Sequence, residues 1–157
     1  MTISVPGPAA RSRFGRTLRL RTAYAVAALP AALASLTGSP VQAWLARRLL
    51  DAEPDRRGRS ATILHALLSL PLNVLSLVSA GYGWAIVVLN LLYPGRWLIG
   101  MGGSLDDSWG GPTLAGAWAV HALGGFVMLL LMPVILKYVT ALQARLMIHV
   151  MGGTMDR

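Results

Sequence analysis

The longest uncharged stretches of the chain constrain its fold more than any other feature. Between Arg59 and Arg96 lie 36 residues without Asp, Glu, Lys or Arg, and 29 more lie between Asp107 and Lys137. A helix of about 20 apolar residues is enough to cross a bilayer. The chain is 55% hydrophobic and only 13% charged, against roughly 25% charged residues in soluble domains. Both stretches are therefore predicted to cross a membrane.

The first stretch is too long for one straight crossing. As a helix its 36 residues would measure about 54 Å, whereas the hydrocarbon core is roughly 30 Å thick. Pro71 can bend it, because proline lacks a backbone donor and clashes with the preceding turn. The predicted segments are a first span at 60–93, an outer loop at 94–111, a second span at 112–136 and a cytoplasmic interfacial helix at 137–152. The last segment can also be a continuation of the second span. The predicted fold class is an all-α integral membrane protein built on a kinked helical hairpin.

Basic residues set the predicted orientation. Residues 1–21 carry five arginines and are predicted to form a disordered cytoplasmic tail, ahead of a single membrane domain at 22–157. With the loop at 94–111 outside, thirteen of the fourteen basic residues are cytoplasmic and only Arg96 is not, which follows the positive-inside rule. We therefore expect a multi-pass protein of the cytoplasmic membrane with both termini inside. The net charge of +8 lies beside apolar segments, which favours anionic lipid over nucleic acid.

The segment at 23–46 has several possible arrangements. It is uncharged, but prolines and a glycine interrupt it and arginines flank it on both sides. It can cross, re-enter or lie in the membrane plane. It also mimics a cleaved signal peptide, although cleavage would leave Arg47 and Arg48 outside, against the charge rule. The sequence leaves these alternatives open.

An internal repeat links this segment to the first span. "AYAVAALPAALASL" at 23–36 aligns with "LHALLSLPLNVLSL" at 64–77, with Pro30 opposite Pro71 and five identities in fourteen positions. "LARRLL" at 45–50 similarly matches "LQARLM" at 142–147. Residues 22–50 are therefore predicted to be a truncated, in-plane or re-entrant copy of the hairpin, and duplicated membrane units commonly pack about a pseudo-symmetry axis.

Three segments carry a resemblance to a known family. They are "SLPLNVLSL" at 69–77, "LLYPG" at 91–95 and "ALQARLMIHVMG" at 141–152. In this order they resemble the actinobacterial membrane sensor domain, which stands alone or at the N-terminus of two-component histidine kinases. The resemblance covers 60–152 and, loosely, 22–52. Because 157 residues hold no phosphoacceptor helix pair or ATP-binding domain, it implies that output passes to a separate cytoplasmic partner such as a histidine kinase.

Polar residues in the apolar segments are the candidate functional residues. An ionisable group inside a span is a functional candidate by default, while small residues and amides commonly pack helices; a solvated loop and a packed neutral imidazole are the simpler alternatives. The candidate sensing residues are Arg96, Asp106, Asp107, Trp109 and His121. The candidate helix-packing residues are Asn73, Asn90, Gly116, Gly124 and Gly125, and the candidate output residue is Arg145.

Catalytic and cofactor signatures are missing from the sequence. There is no cysteine, no Ser-His-Asp order, no pair of intramembrane carboxylates, no H-x-x-x-H and no G-x-x-x-x-G-K. No catalytic, cofactor or metal site is therefore predicted. The leading hypothesis is a non-enzymatic membrane sensor in contact with the lipid bilayer and a cytoplasmic signalling protein. The alternatives are a homo-oligomeric channel or holin-like pore, or an accessory subunit of a larger membrane complex; stimulus, partner and oligomeric state stay open.

Overall fold

The computed structural model describes residues 8–55 and 57–155, with side chains for residues 14–55 and 57–154. The elements, in chain order, are α1 (Pro8–Ser35), α2 (Val41–Leu49), β1 (Ala52–Pro54), α3 (Arg59–Leu91), a 3₁₀ helix (Tyr93–Ile99), α4 (Leu114–Met151) and β2 (Gly153–Met155). They form two compact units. The first contains the described residues up to Leu77 and from Leu136 onward, and the second is Val78–Ile135.

The prediction of two long apolar helices is confirmed. α3 has 33 residues and α4 has 38, so they measure about 50 and 57 Å. Both are long and apolar enough to cross a bilayer, which is compatible with a membrane protein. α4 runs unbroken through Lys137, so the predicted second span and the segment that follows it belong to one helix. A single lysine does not interrupt backbone hydrogen bonding, so a change in polarity need not end a helix.

The basic tail differs from the sequence prediction. Residues 8–21 belong to α1, whereas disorder was expected there; residues 1–7 lie outside the described part of the chain. Proline is favoured in the first turn of a helix, and the Arg, Ala and Leu residues that follow are strong helix formers. Arg21 Nη1 also donates hydrogen bonds to Lys137 O (3.1 Å) and Thr140 Oγ1 (3.2 Å). This contact fixes the end of the tail against α4.

In the first unit, α1 lies antiparallel to the first half of α3. Ser76 Oγ donates to Ala25 O, while Arg59 Nη2 donates to Thr37 O near the other end of the pair. The two halves of the sequence repeat have nearly the same burial. Of the fourteen aligned positions, twelve fall in the same burial class, the exceptions being 27 with 68 and 31 with 72. Residues at equivalent positions of the repeat are therefore buried to a similar extent.

The core of the first unit joins the two shorter repeated segments. Tyr24 and Ala28 of α1 pack with Ala46 of α2 and Met147 of α4 in one buried cluster. "LARRLL" and "LQARLM", which align in the sequence, thus contribute to the same core.

A short antiparallel ribbon amends the all-α prediction. Ala52 pairs with Met155, and Pro54 pairs with Gly153, in a segment expected to be a plain linker. The chain leaves α4 through two glycines with positive φ, Gly152 (73°) and Gly153 (108°), a conformation that glycine adopts at low cost. Arg47 Nη2 holds the other strand by donating to Pro54 O at 2.6 Å.

In the second unit, the close approach of α3 and α4 depends on small residues. Trp118 Nε1 donates to Leu91 O at 2.9 Å. A Cβ added at Gly125 would lie 2.9 Å from Asn90 Cβ and 3.2 Å from Leu91 N, whereas one at Gly124 would meet nothing within 4 Å. Gly125 is therefore packed against α3, whereas the adjacent Gly124 faces open space.

We expect Gly125→Ala to lower the free energy of unfolding by about 1–3 kcal/mol, because the methyl group overpacks against a backbone atom. The measurement is reversible unfolding of the purified chain in mixed detergent micelles, followed by circular dichroism. Gly124→Ala is the matched control and should be neutral or stabilising by up to about 1 kcal/mol. Equal destabilisation by both changes would contradict this packing.

Candidate functional site

The candidate site begins where α3 ends. The 3₁₀ helix starts at Tyr93, has Pro94 in its first turn and is capped by Gly100 in the left-handed conformation. Side chains at i and i+3 eclipse in a 3₁₀ helix, so Tyr93 and Arg96 share a face. The guanidinium carbon of Arg96 lies 4.8 Å from the Tyr93 ring centroid. This is a cation–π contact between a half-buried arginine and a buried aromatic ring.

α4 brings His121 to the same ring. The His121 and Tyr93 rings stack with centroids 4.0 Å apart and planes 30° from each other. His121 Nδ1 lies 2.8 Å from Ala117 O, and a carbonyl oxygen only accepts, so Nδ1 must carry a proton. In neutral His121, Nε2 is therefore the acceptor nitrogen.

These three side chains adjoin a cavity of about 390 Å³. Its wall is mostly apolar, with three polar side chains among the lining residues. The apolar ones include Val88, Leu89, Leu92, Ile99 and Met101, and the polar ones are Asn90, Arg96 and His121. A largely apolar wall with a few converging polar groups is typical of small-molecule sites.

Arg96 has no counter-ion in this site. Among the residues whose side chains the structure describes, the ion pair present joins Arg47 to Glu53, with Nε and Oε2 3.9 Å apart. The Arg96 guanidinium thus contacts an aromatic ring and an apolar cavity but no carboxylate. This leaves its positive charge available to a ligand.

The predicted sensing residues divide into two groups. Arg96 and His121 meet at Tyr93, whereas Asp106, Asp107 and Trp109 do not line the cavity. Ser104 Oγ donates to Asp106 Oδ2 at 2.5 Å, and Trp109 is 79% exposed. Sequence reasoning missed Tyr93 as the shared contact. The available signal was the i, i+3 spacing of Tyr93 and Arg96 around Pro94.

A second polar feature lies in the first unit. Here we define the polar spine as the buried side chains Ser35, Gln42, Ser69, Asn73, Ser76 and Gln143. Gln42 Nε2 donates to Ser69 Oγ (3.2 Å), Asn73 Nδ2 donates to the same oxygen (3.0 Å), and Gln143 Nε2 donates to Asn73 Oδ1 (2.8 Å). The spine thereby connects α2, α3 and α4.

The spine reaches α1 at both of its ends. Ser35 Oγ accepts from the backbone N–H of Gln42 at 3.1 Å. At the other end, Ser76 Oγ lies 3.3 Å from Ala25 O and 3.4 Å from Gln143 Oε1. A hydroxyl has one proton, so Ser76 can donate to only one of these oxygens at a time.

Two buried polar atoms next to this network lack hydrogen bonds. They are Tyr24 Oη and His65 Nε2, which occupy equivalent positions of the repeat. The Tyr24 hydroxyl lies beside Gln42 without meeting it in hydrogen-bond geometry. An unpaired buried polar atom costs free energy. Another packing in which Tyr24 Oη or His65 Nε2 found a hydrogen-bond partner would recover that cost.

Of the other predicted residues, Asn90 lines the cavity, whereas Gly116 and Arg145 do not. Asn90 Nδ2 donates to Ile86 O of its own helix at 2.8 Å, Gly116 contacts the Gly110 carbonyl, and Arg145 is exposed on α4. Among the described residues, no group of three or more His, Asp or Glu side chains is arranged to hold a metal ion.

Comparison with known proteins finds no matching family model, no matching curated protein and no matching solved structure.

We expect the polar spine to contribute measurable coupling between α3 and α4. In a double-mutant cycle, Asn73→Ala and Gln143→Ala should show a coupling free energy of about 1 kcal/mol, typical of interhelical hydrogen bonds in membranes. The measurement is the unfolding equilibrium of the four variants in mixed micelles. Asn90→Ala with Gln143→Ala is the control cycle and should show coupling near zero. Coupling near zero in the first cycle would show that the hydrogen bond between Asn73 and Gln143 does not stabilise the contact of α3 with α4.

Proposed function

We propose that the chain is a non-enzymatic membrane sensor, a signal-input module whose stimulus site is the cavity beside Tyr93, Arg96 and His121. The observation that carries the proposal is the unpaired, half-buried Arg96 held over Tyr93 at the edge of an apolar cavity. No carboxylate among the described side chains neutralises this charge. An anionic ligand can pair with Arg96, and selective binding of one ligand is what a stimulus site needs.

A membrane location is supported by the surfaces of α3 and α4. Large apolar side chains stay exposed along both helices, including Leu67, Leu75, Val78, Leu123 and Leu130. An exposed apolar surface of this extent is unusual in soluble proteins. With the charge asymmetry of the sequence, it supports a multi-pass protein of the cytoplasmic membrane with its termini inside and the 3₁₀ helix outside.

The polar spine is the proposed switching element. Ser76 has two alternative acceptors, and Tyr24 and His65 each have an unused hydrogen-bonding atom. A second packing of the helices can therefore form new hydrogen bonds as it breaks old ones. A stimulus that binds one packing more tightly shifts the equilibrium toward it. Because α3 and α4 each contribute residues to both units, ligand contacts on these helices can influence that equilibrium.

Output in this proposal leaves through the exposed Arg145. Its partner would be a cytoplasmic signalling protein, such as the histidine kinase implied by the resemblance to the actinobacterial membrane sensor domain. The pore alternative needs small residues of α4 to be free for oligomerisation. Gly125 already packs against Asn90 and Leu91 of this chain, whereas Gly124 is exposed and meets nothing within 4 Å.

We expect Arg145→Glu to abolish output without preventing membrane insertion, because it reverses the charge of an exposed contact. The measurement compares transcript profiles of native host cells that carry the wild-type chain, a deletion or the variant, with membrane levels verified by immunoblot. Arg145→Glu should reproduce the deletion profile.

The matched control is Arg48→Glu, since Arg48 is exposed and aligns with Arg145 in the repeat. This variant should resemble the wild type. A wild-type profile in Arg145→Glu cells would exclude this residue from signalling. A deletion profile identical to that of the wild type would overturn the sensor proposal as a whole.

A further inference from the structure

We infer that the cavity beside Tyr93 binds an anionic single-chain amphiphile, whose head group pairs with Arg96 while its chain lies against the apolar wall. The claim that this ligand is the stimulus rests on the proposed function. Its binding to the cavity is a separate property of the second unit.

The charge of Arg96 selects an anion. Its guanidinium is half-buried, lacks a carboxylate partner among the described side chains, and is oriented by the Tyr93 ring 4.8 Å away. A planar guanidinium donates two parallel hydrogen bonds to a carboxylate or phosphate, and stacking on an aromatic ring leaves its edge free to do so. Preorganisation by Tyr93 reduces the entropy lost on binding.

His121 adds a second polar contact beside the same ring. With Nδ1–H committed to Ala117 O, neutral His121 presents Nε2 as an acceptor for the O–H of a protonated acid or a phosphate monoester. A protonated imidazole would instead donate from Nε2 to the anion. Either state suits an oxygen-rich head group.

The shape and lining of the cavity select an apolar chain. Its volume of about 390 Å³ falls in the range of small-ligand sites, roughly 300–1,000 Å³. Leu89, Leu92 and Ile99 form part of its wall, and a small inorganic anion would leave this apolar surface uncovered. An alkyl chain would cover that surface. An amphiphile therefore fits better than a free anion.

The test uses the full chain in nanodiscs of zwitterionic phosphatidylcholine, with 11-(dansylamino)undecanoate as the fluorescent probe. We expect saturable binding above the linear partition into empty nanodiscs. Dodecanoate and dodecyl phosphate should compete, whereas dodecanol and inorganic phosphate should compete at least about tenfold more weakly. Arg96→Gln should weaken probe binding by about tenfold, and Arg145→Gln should leave it unchanged.

Each other outcome has a definite meaning. Equal competition by dodecanol would mean an apolar crevice without anion selection, and equal competition by inorganic phosphate would mean a free-anion site; both overturn the inference, and neither depends on a variant. Absence of saturable binding overturns it too. The transcript comparison with Arg145→Glu is independent, so binding without output would refute only the sensor proposal, and output without binding would refute only the ligand class.

Discussion

Hydrogen bonds between buried side chains are the interaction on which the first unit depends. Lipid is as apolar as leucine, so burial of leucine alone gives membrane helices little preference for one neighbour over another. Amides and hydroxyls provide that preference. Asn73 accepts from Gln143 and donates to Ser69, and Ser69 also accepts from Gln42. These contacts determine which faces of α2, α3 and α4 meet and in which register.

The second unit is organised by contacts around the Tyr93 ring. A 3₁₀ turn aligns Tyr93 with Arg96, and close packing allowed by Gly125 brings α4 and His121 against α3 and the turn that follows it. Arg96 of this unit has no carboxylate partner among the described side chains. A network that is nearly complete in one unit and a charge left open in the other are the features expected of a packed switch and a ligand site.

The sequence predicted the local features of this fold and missed the long-range ones. The length of the uncharged stretches was enough to predict α3 and α4, and Pro30 and Pro71 were enough to align the repeat. Both predictions depend on patterns within short segments of the chain. No periodicity could pair Gln42 with Ser69 or join the two strands of the β ribbon, since these contacts link residues far apart. The helical start of α1 was missed because charge density suggested disorder, although the same residues favour helix. At the candidate site, Arg96 and His121 were chosen for their charge, but their shared contact with Tyr93 required the fold.

The proposed sensor places the loop that contains Ser104 outside the membrane and Arg145 in the cytoplasm. The chain has no cysteine, so single cysteines at the exposed positions Ser104 and Arg145 can be labelled with a membrane-impermeant maleimide. We expect Ser104→Cys to react in intact cells, and Arg145→Cys to react only after the membrane is permeabilised. Labelling of both positions in intact cells, or of neither, would place the loop and the helix on one side and contradict the account.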